Sequence, residues 1–210
     1  MATKKKSSVI IKKTAVKKAA KKGIKKKGAP VKKVTKSAVK TADPVKKKIS
    51  ATAFQPHQTQ LKQGDKAPVF SGIDQDGKTV SLADYKGKKL VLYFYPKDDT
   101  PGCTAQACSL RDGYSLLKKN GIEIVGVSKD PVSKHKQFEK KYQLPFRLIA
   151  DEDLTILKAY DVWGKKQFMG RVFEGIIRTS FLIDEKGKIK AVLDKPNTAD
   201  HANQILESWK

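Results

Sequence analysis

The run LVLYFYPKDDTPGCTAQAC, residues 90–108, decides how the rest of this 210-residue chain is read. Six consecutive apolar or aromatic residues at 90–95 are enough for a central strand buried on both faces and too few for a helix. Pro96 ends that strand. Asp98, Asp99, Thr100, Pro101 and Gly102 then supply turn and N-cap chemistry, with Pro101 suited to the first helical position. Cys103 therefore falls in the first turn of a helix, where backbone N–H groups lack intrahelical partners and the macrodipole is positive. Such a position favours a thiolate over a thiol. The size of that effect matters. Lowering a thiol pKa from about 8.5 to about 6 raises the thiolate fraction at pH 7 from ~3% to ~90%. The chemistry of the chain is expected to start at Cys103.

Working outward, residues 104–120 read as the helix that follows, closed by Gly121 in the usual C-terminal position. Residues 122–128 (IEIVGVS) are a second buried strand, 131–142 an amphipathic helix, 146–150 a short strand and 154–160 another helix. Upstream, two short strand-like runs flank the turn at residues 74–77 and predict a hairpin. Downstream, 162–176 (VWGKKQFMGRVFEGI), with glycines at 164, 170 and 175, reads as an irregular connection. Residues 178–184 and 189–193 form an antiparallel hairpin across the turn at 185–188, and 198–210 a closing helix with Ile205, Leu206 and Trp209 on one face. The alternation predicts an α/β fold, a central mixed β-sheet flanked by helices.

Charge divides the chain in two. Residues 1–55 hold 19 lysines, no arginine and one acid, Asp43, which is +18 of the formal +24. Their apolar residues are mainly Ala and Val, and the first aromatic is Phe54. A segment of that composition is expected to be a disordered Lys-rich tail, followed by one folded domain at 59–210. Lys4, Lys5, Lys6, Lys25, Lys26, Lys27, Lys46, Lys47 and Lys48 are the candidate phosphate-backbone contacts, giving sequence-independent, salt-sensitive binding to DNA or RNA. No aromatic residues are interleaved for base stacking. A solubilising tail and a nuclear localisation signal are the other readings of the same lysines.

The longest apolar run near the start is Val9-Ile10-Ile11, so neither a secretory signal nor a membrane-spanning helix is expected. Two cysteines in 210 residues are no disulfide scaffold, which favours an intracellular protein. They supply half of a four-thiolate metal site, and His57, His135 and His201 show no ligand spacing, so neither a metal nor another cofactor is expected. There is no C-x-x-C dithiol either.

Pro96, Thr100 and Cys103 fit the pattern P-x-x-x-T-x-x-C, and the chain here resembles the peroxiredoxins. A further cysteine five residues on, Cys108, marks the bacterioferritin comigratory protein or PrxQ subfamily, and the resemblance continues through TPGCTAQACSLRD, VWGKKQFMG and RTSFLIDEKGKI, across residues 60–210. It implies a thioredoxin-like fold and a thiol peroxidase acting on hydrogen peroxide and organic hydroperoxides. Cys103 would be peroxidatic and Cys108 resolving, through an intramolecular Cys103–Cys108 disulfide reduced by thioredoxin. Thr100 would hydrogen-bond the thiolate and substrate, and Arg178 would hold the anion. Pro96 would wall the pocket, and the N–H groups of Gly102 and Cys103 would be further donors.

Two points qualify the carry-over. Residues five apart in a regular helix have Cα atoms ~8.6 Å apart, whereas a disulfide prefers roughly 4.4–6.8 Å, so the helix start is expected to unwind after sulfenic acid formation. Asp98 and Asp99 would oppose thiolate formation if their charge faced sulfur. Trp163 and Phe168 read as packing rather than as pocket lining. The tail resembles histone H1-like Lys/Ala/Pro-rich tails. The expected protein is a monomeric enzyme of the bacterial cytoplasm, tethered to the nucleoid by its tail, with a nuclear location as the alternative. A nucleic-acid-associated redox sensor is the rival function.

Overall fold

The computed structural model describes residues 54, 55 and 57–210, so the lysine-rich segment with its nine candidate contacts lies outside the described residues, as does the side chain of Phe168. The chain enters its sheet with β1 (Ser71–Asp74) and turns into β2 (Thr79–Ser81). Gly77 takes φ +74° in that turn, while the Asp74 carboxylate accepts the Asp76 and Lys78 N–H groups at 2.9 Å. This is the hairpin expected at 74–77. A 3-10 turn at Leu82–Tyr85 leads to β3 (Lys89–Phe94). Then come α1 (Pro101–Asp112), α2 (Tyr114–Lys119), β4 (Ile122–Ser128), α3 (Val132–Tyr142), β5 (Arg147–Ala150) and α4 (Thr155–Ala159). The chain ends with β6 (Trp163–Phe168), β7 (Arg171–Ile176), β8 (Thr179–Ile183), β9 (Ile189–Leu193) and α5 (His201–Ser208).

Seven strands form one mixed sheet in the order β2-β1-β5-β4-β3-β8-β9. β3 lies inside it, parallel to β4 and antiparallel to β8. Its alternate residues serve different cores. Leu90, Leu92 and Phe94 join the cluster that also takes Ile156 and Leu157 of α4, while Val91, Tyr93 and Tyr95 join the cluster beneath α1, α2, α3 and α5. Full burial of such a side chain stabilises by about 1.5–3 kcal/mol, so five in a row, with Tyr95 directly after, make this strand the anchor of the sheet.

Two expectations are corrected. The single helix at 104–120 is two helices, because a Cβ at Gly113 would lie 2.4 Å from the Ala202 Cβ of α5, and this close crossing interrupts the helix. The irregular connection at 162–176 is a β6–β7 hairpin, paired from Trp163↔Ile176 to Phe168↔Arg171. Met169 and Gly170 at its tip both have positive φ, +49° and +77°, which suits the right-handed twist of a two-residue connection. Trp163 packs partly buried against the first core cluster.

Candidate active site

Pro101 and Gly102 open α1, and Cys103 is its third residue. Thr104 is the first of these to close a helical bond, its N–H reaching the Thr100 carbonyl at 2.8 Å. The N–H groups of Gly102 and Cys103 are therefore the orphan donors expected at a helix start. Cys103 is buried, at 2% exposure, and Cys108 is half-buried on the same helix, both as free cysteines. One continuous α1 holds the two.

Arg178 lies just before β8, the strand next to β3, and reaches across to α1. Its Nη2 donates to Cys103 Sγ at 3.2 Å, and its Nη1 donates to Gln106 Oε1. A guanidinium carries fixed charge and planar donors, so one residue supplies a permanent cation at the sulfur. A Cβ at Gly102 would stand 3.4 Å from Arg178 Nη2, which keeps the approach open for the guanidinium. Gln106, completely buried, gives Arg178 its second anchor. Nothing in the sequence singles it out, since a glutamine inside a helix is unremarkable until the residue across from it is known.

Thr100 does not bond the sulfur in this state: its hydroxyl donates to the Lys97 carbonyl at 3.0 Å, leaving its lone pairs to accept. Pro96 is half-buried directly after the buried Tyr95. The two acids before the cysteine are engaged elsewhere. Asp98, buried, accepts from Tyr95 Oη at 2.7 Å and lies 2.7 Å from His135 Nδ1, while its N–H reaches Asp130 Oδ2 at 2.7 Å. Asp99, in a left-handed turn at φ +57°, takes Lys141 Nζ at 2.7 Å and Tyr142 Oη, and these bonds hold its carboxyl below the usual range. Both carboxylates thus fasten the loop at 96–100 to α3 and face their own partners.

The β6–β7 hairpin adds a wall. The His57 N–H bonds the Lys165 carbonyl at 3.0 Å, and Gly164 is needed because a Cβ there would come within 2.3 Å of the His57 ring. His57 Nε2 lies 2.8 Å from Asp161 Oδ1. Between this entry segment, the hairpin and β8 is a cavity of ≈ 350 Å³ whose lining includes His57, Thr59, Lys166, Ile177, Arg178 and Pro196. No group of three or more His, Cys, Asp or Glu side chains among the described residues is arranged to hold a metal ion.

The AhpC/TSA family profile matches residues 63–192. The chain is 49% identical over 149 residues to peroxiredoxin Bcp of Escherichia coli (strain K12), covering 71% of this chain and 95% of that one. It is 43% identical over 150 residues to peroxiredoxin Bcp of Bacillus subtilis (strain 168), covering 71% and 96%. Its fold is similar to that of Xanthomonas campestris bacterioferritin comigratory protein, a structure described for alkyl peroxide reduction. The TM-score is 0.64 and the identity 31%, over 72% of this chain and 96% of that one.

Proposed function

Because the chain belongs to the AhpC/TSA family, and within it to the Bcp/PrxQ peroxiredoxins, we propose that it is a thioredoxin-dependent thiol peroxidase working through Cys103 and Cys108. Membership makes it an oxidoreductase with a thioredoxin-like fold whose relatives reduce peroxides. The observation that carries the residue assignment is the 3.2 Å bond from Arg178 Nη2 to Cys103 Sγ at a helix N-terminus. The thiolate attacks the distal peroxide oxygen, becoming a sulfenic acid and expelling water or alcohol. Arg178 and the N–H groups of Gly102 and Cys103 stabilise charge as it moves from sulfur to oxygen. Thr100, its own proton held on the Lys97 carbonyl, accepts from the peroxide O–H, and Pro96 keeps water from the loop. Cys108 then condenses with the sulfenic acid after the first turns of α1 unwind, and thioredoxin reduces the disulfide.

Peroxide consumption with a thioredoxin system tests this assignment in wild type, Cys103→Ser and Cys108→Ser. Cys103→Ser is expected to be inactive. Cys108→Ser should complete one oxidation and then stall with thioredoxin as reductant. Activity retained in Cys103→Ser would refute the assignment. The lysine-rich segment, outside the family match, is proposed to tether a monomeric enzyme to nucleic acid in the cytoplasm; among the described residues no helix is long and apolar enough to cross a membrane.

A further inference from the structure

Expulsion of an alkoxide or hydroxide from a peroxide at the buried Cys103 creates a strong base, and that oxygen needs a proton. Arg178 cannot give one, since a guanidinium is not deprotonated in proteins. The Thr100 hydroxyl proton is bonded to Lys97, and His57 is engaged with Asp161. Lys195, which also lines the cavity, is exposed.

Lys166 is differently placed. Its stem crosses Gly175 of β7, where a Cβ would stand 3.3 Å from its Cδ, and its Nζ donates to the Ile176 carbonyl at 3.0 Å, two residues from Arg178 in the chain. The Phe173 ring lies 5.7 Å away. One of its three N–H donors is thereby used, leaving two beside the cavity it shares with Arg178. Burial, with the neighbouring Arg178 charge, pushes this ammonium below the ordinary lysine range, and the Cys103 sulfur acts on it in the opposite sense. An acid brought nearer the working pH transfers its proton more readily.

We infer that Lys166 is the general acid that protonates the oxygen leaving from the peroxide. The inference rests on the peroxidase reading above and assigns it a proton donor. The Cys103 thiolate bonds the distal oxygen of R–O–O–H while the O–O bond breaks. Sulfur is oxidised by two electrons to Cys103–SOH, and R–O⁻ departs. Lys166–NH₃⁺ gives it a proton, yielding R–OH and Lys166–NH₂, which recovers its proton from water.

The test uses the full chain and compares two oxidants by stopped-flow fluorescence in single turnover. Tert-butyl hydroperoxide expels a basic alkoxide; peracetic acid expels acetate, which needs no proton. Lys166→Met is expected to lose about a hundredfold with tert-butyl hydroperoxide, within the usual range for a general acid, and less than about threefold with peracetic acid. Lys166→Arg keeps the charge but cannot release a proton, and should show the same selective loss. Equal losses with both oxidants, or a wild-type rate for Lys166→Arg with tert-butyl hydroperoxide, would overturn the inference. Wild type oxidised by both reagents and Cys103→Ser by neither establishes the peroxidase reading separately; wild type inert to both removes that reading and this inference together.

Discussion

The Gln106 side-chain oxygen accepts from Arg178, and its Nε2, fully buried, has no partner among the described residues. An unpaired buried polar group costs about 1–3 kcal/mol, so this residue is tolerated at a loss to stability. Gln106→Leu removes the orphaned amide and also the anchor of Arg178. The two effects on stability oppose each other, and the urea midpoint is expected to move by no more than about 1 kcal/mol equivalent, while the rate of Cys103 oxidation falls about tenfold or more as the guanidinium loses its fixed position. His201 shows a different residue-scale effect. It is the buried first residue of α5, with Nε2 3.0 Å from Ser180 Oγ, and burial, opposed by its bond to Gln204 and reinforced by the Arg178 charge, lowers its pKa from 6.5 to about 4. The folded pKa is below the unfolded one, so between pH 6.5 and 4 the unfolded chain binds the proton first. Stability is complete above about pH 6.5 and falls by about 3 kcal/mol as pH drops through 4. Urea unfolding at pH 7.5 and 4.5 measures the loss, and His201→Gln should remove most of the difference between the two.

Helix α1 is unevenly held. Its second half is fixed by Arg111 Nη1 on the Tyr142 carbonyl at 2.9 Å, by Ala202 N–H on Ser109 Oγ at 3.3 Å, and by the contact of Gly113 with Ala202. Its first half depends on the buried faces of Cys103, Gln106 and Ala107 and on the two Arg178 bonds. Sulfenic acid formation alters the residue at the centre of those bonds, so unwinding should stop near Ser109. Amide exchange is therefore expected to accelerate across residues 102–108 on conversion to the disulfide, while 109–112 keep their protection. Equal protection of 102–108 in both forms would sink the unwinding step. Elements differ in how legible they were. β3 could be read because residues 90–95 are apolar on both faces, and the turn at 74–77 because Asp and Gly have specific turn roles. The β6–β7 hairpin could not: five of the six residues of β7 lie exposed or half-exposed, and without a buried face there is no period-two pattern to find. Lys166 was missed with it. Arg178 entered only through the family resemblance, and Gln106 not at all, because contacts 75 and 72 residues apart are set by strand order and leave no local trace.

At the scale of the molecule, charge and chemistry lie in different parts of the chain. Residues 1–55 hold +18 of the +24, yet Cys103, Gln106, Lys166 and Arg178 all belong to the fold of sheet and helices that matches the family. The basic segment can therefore be removed without touching the site. A chain starting at residue 56 is expected to oxidise Cys103 at the full-length rate within about twofold and to keep its urea midpoint. Its nucleic-acid affinity should collapse. Binding by lysines to phosphates is driven by counterion release, with log K falling by about 0.9 per phosphate neutralised for each unit of log salt. If about eight of the 19 lysines engage phosphates at once, the full-length slope is about −7, and affinity for a random duplex drops about ten-thousandfold between 50 and 200 mM salt. An electrophoretic shift series over that range measures it. Undiminished binding by the truncated chain at 150 mM would place the contact on the folded domain, where the remaining excess of +6 is spread over 155 residues, and the tethering role of the segment would fall while the peroxidase remained.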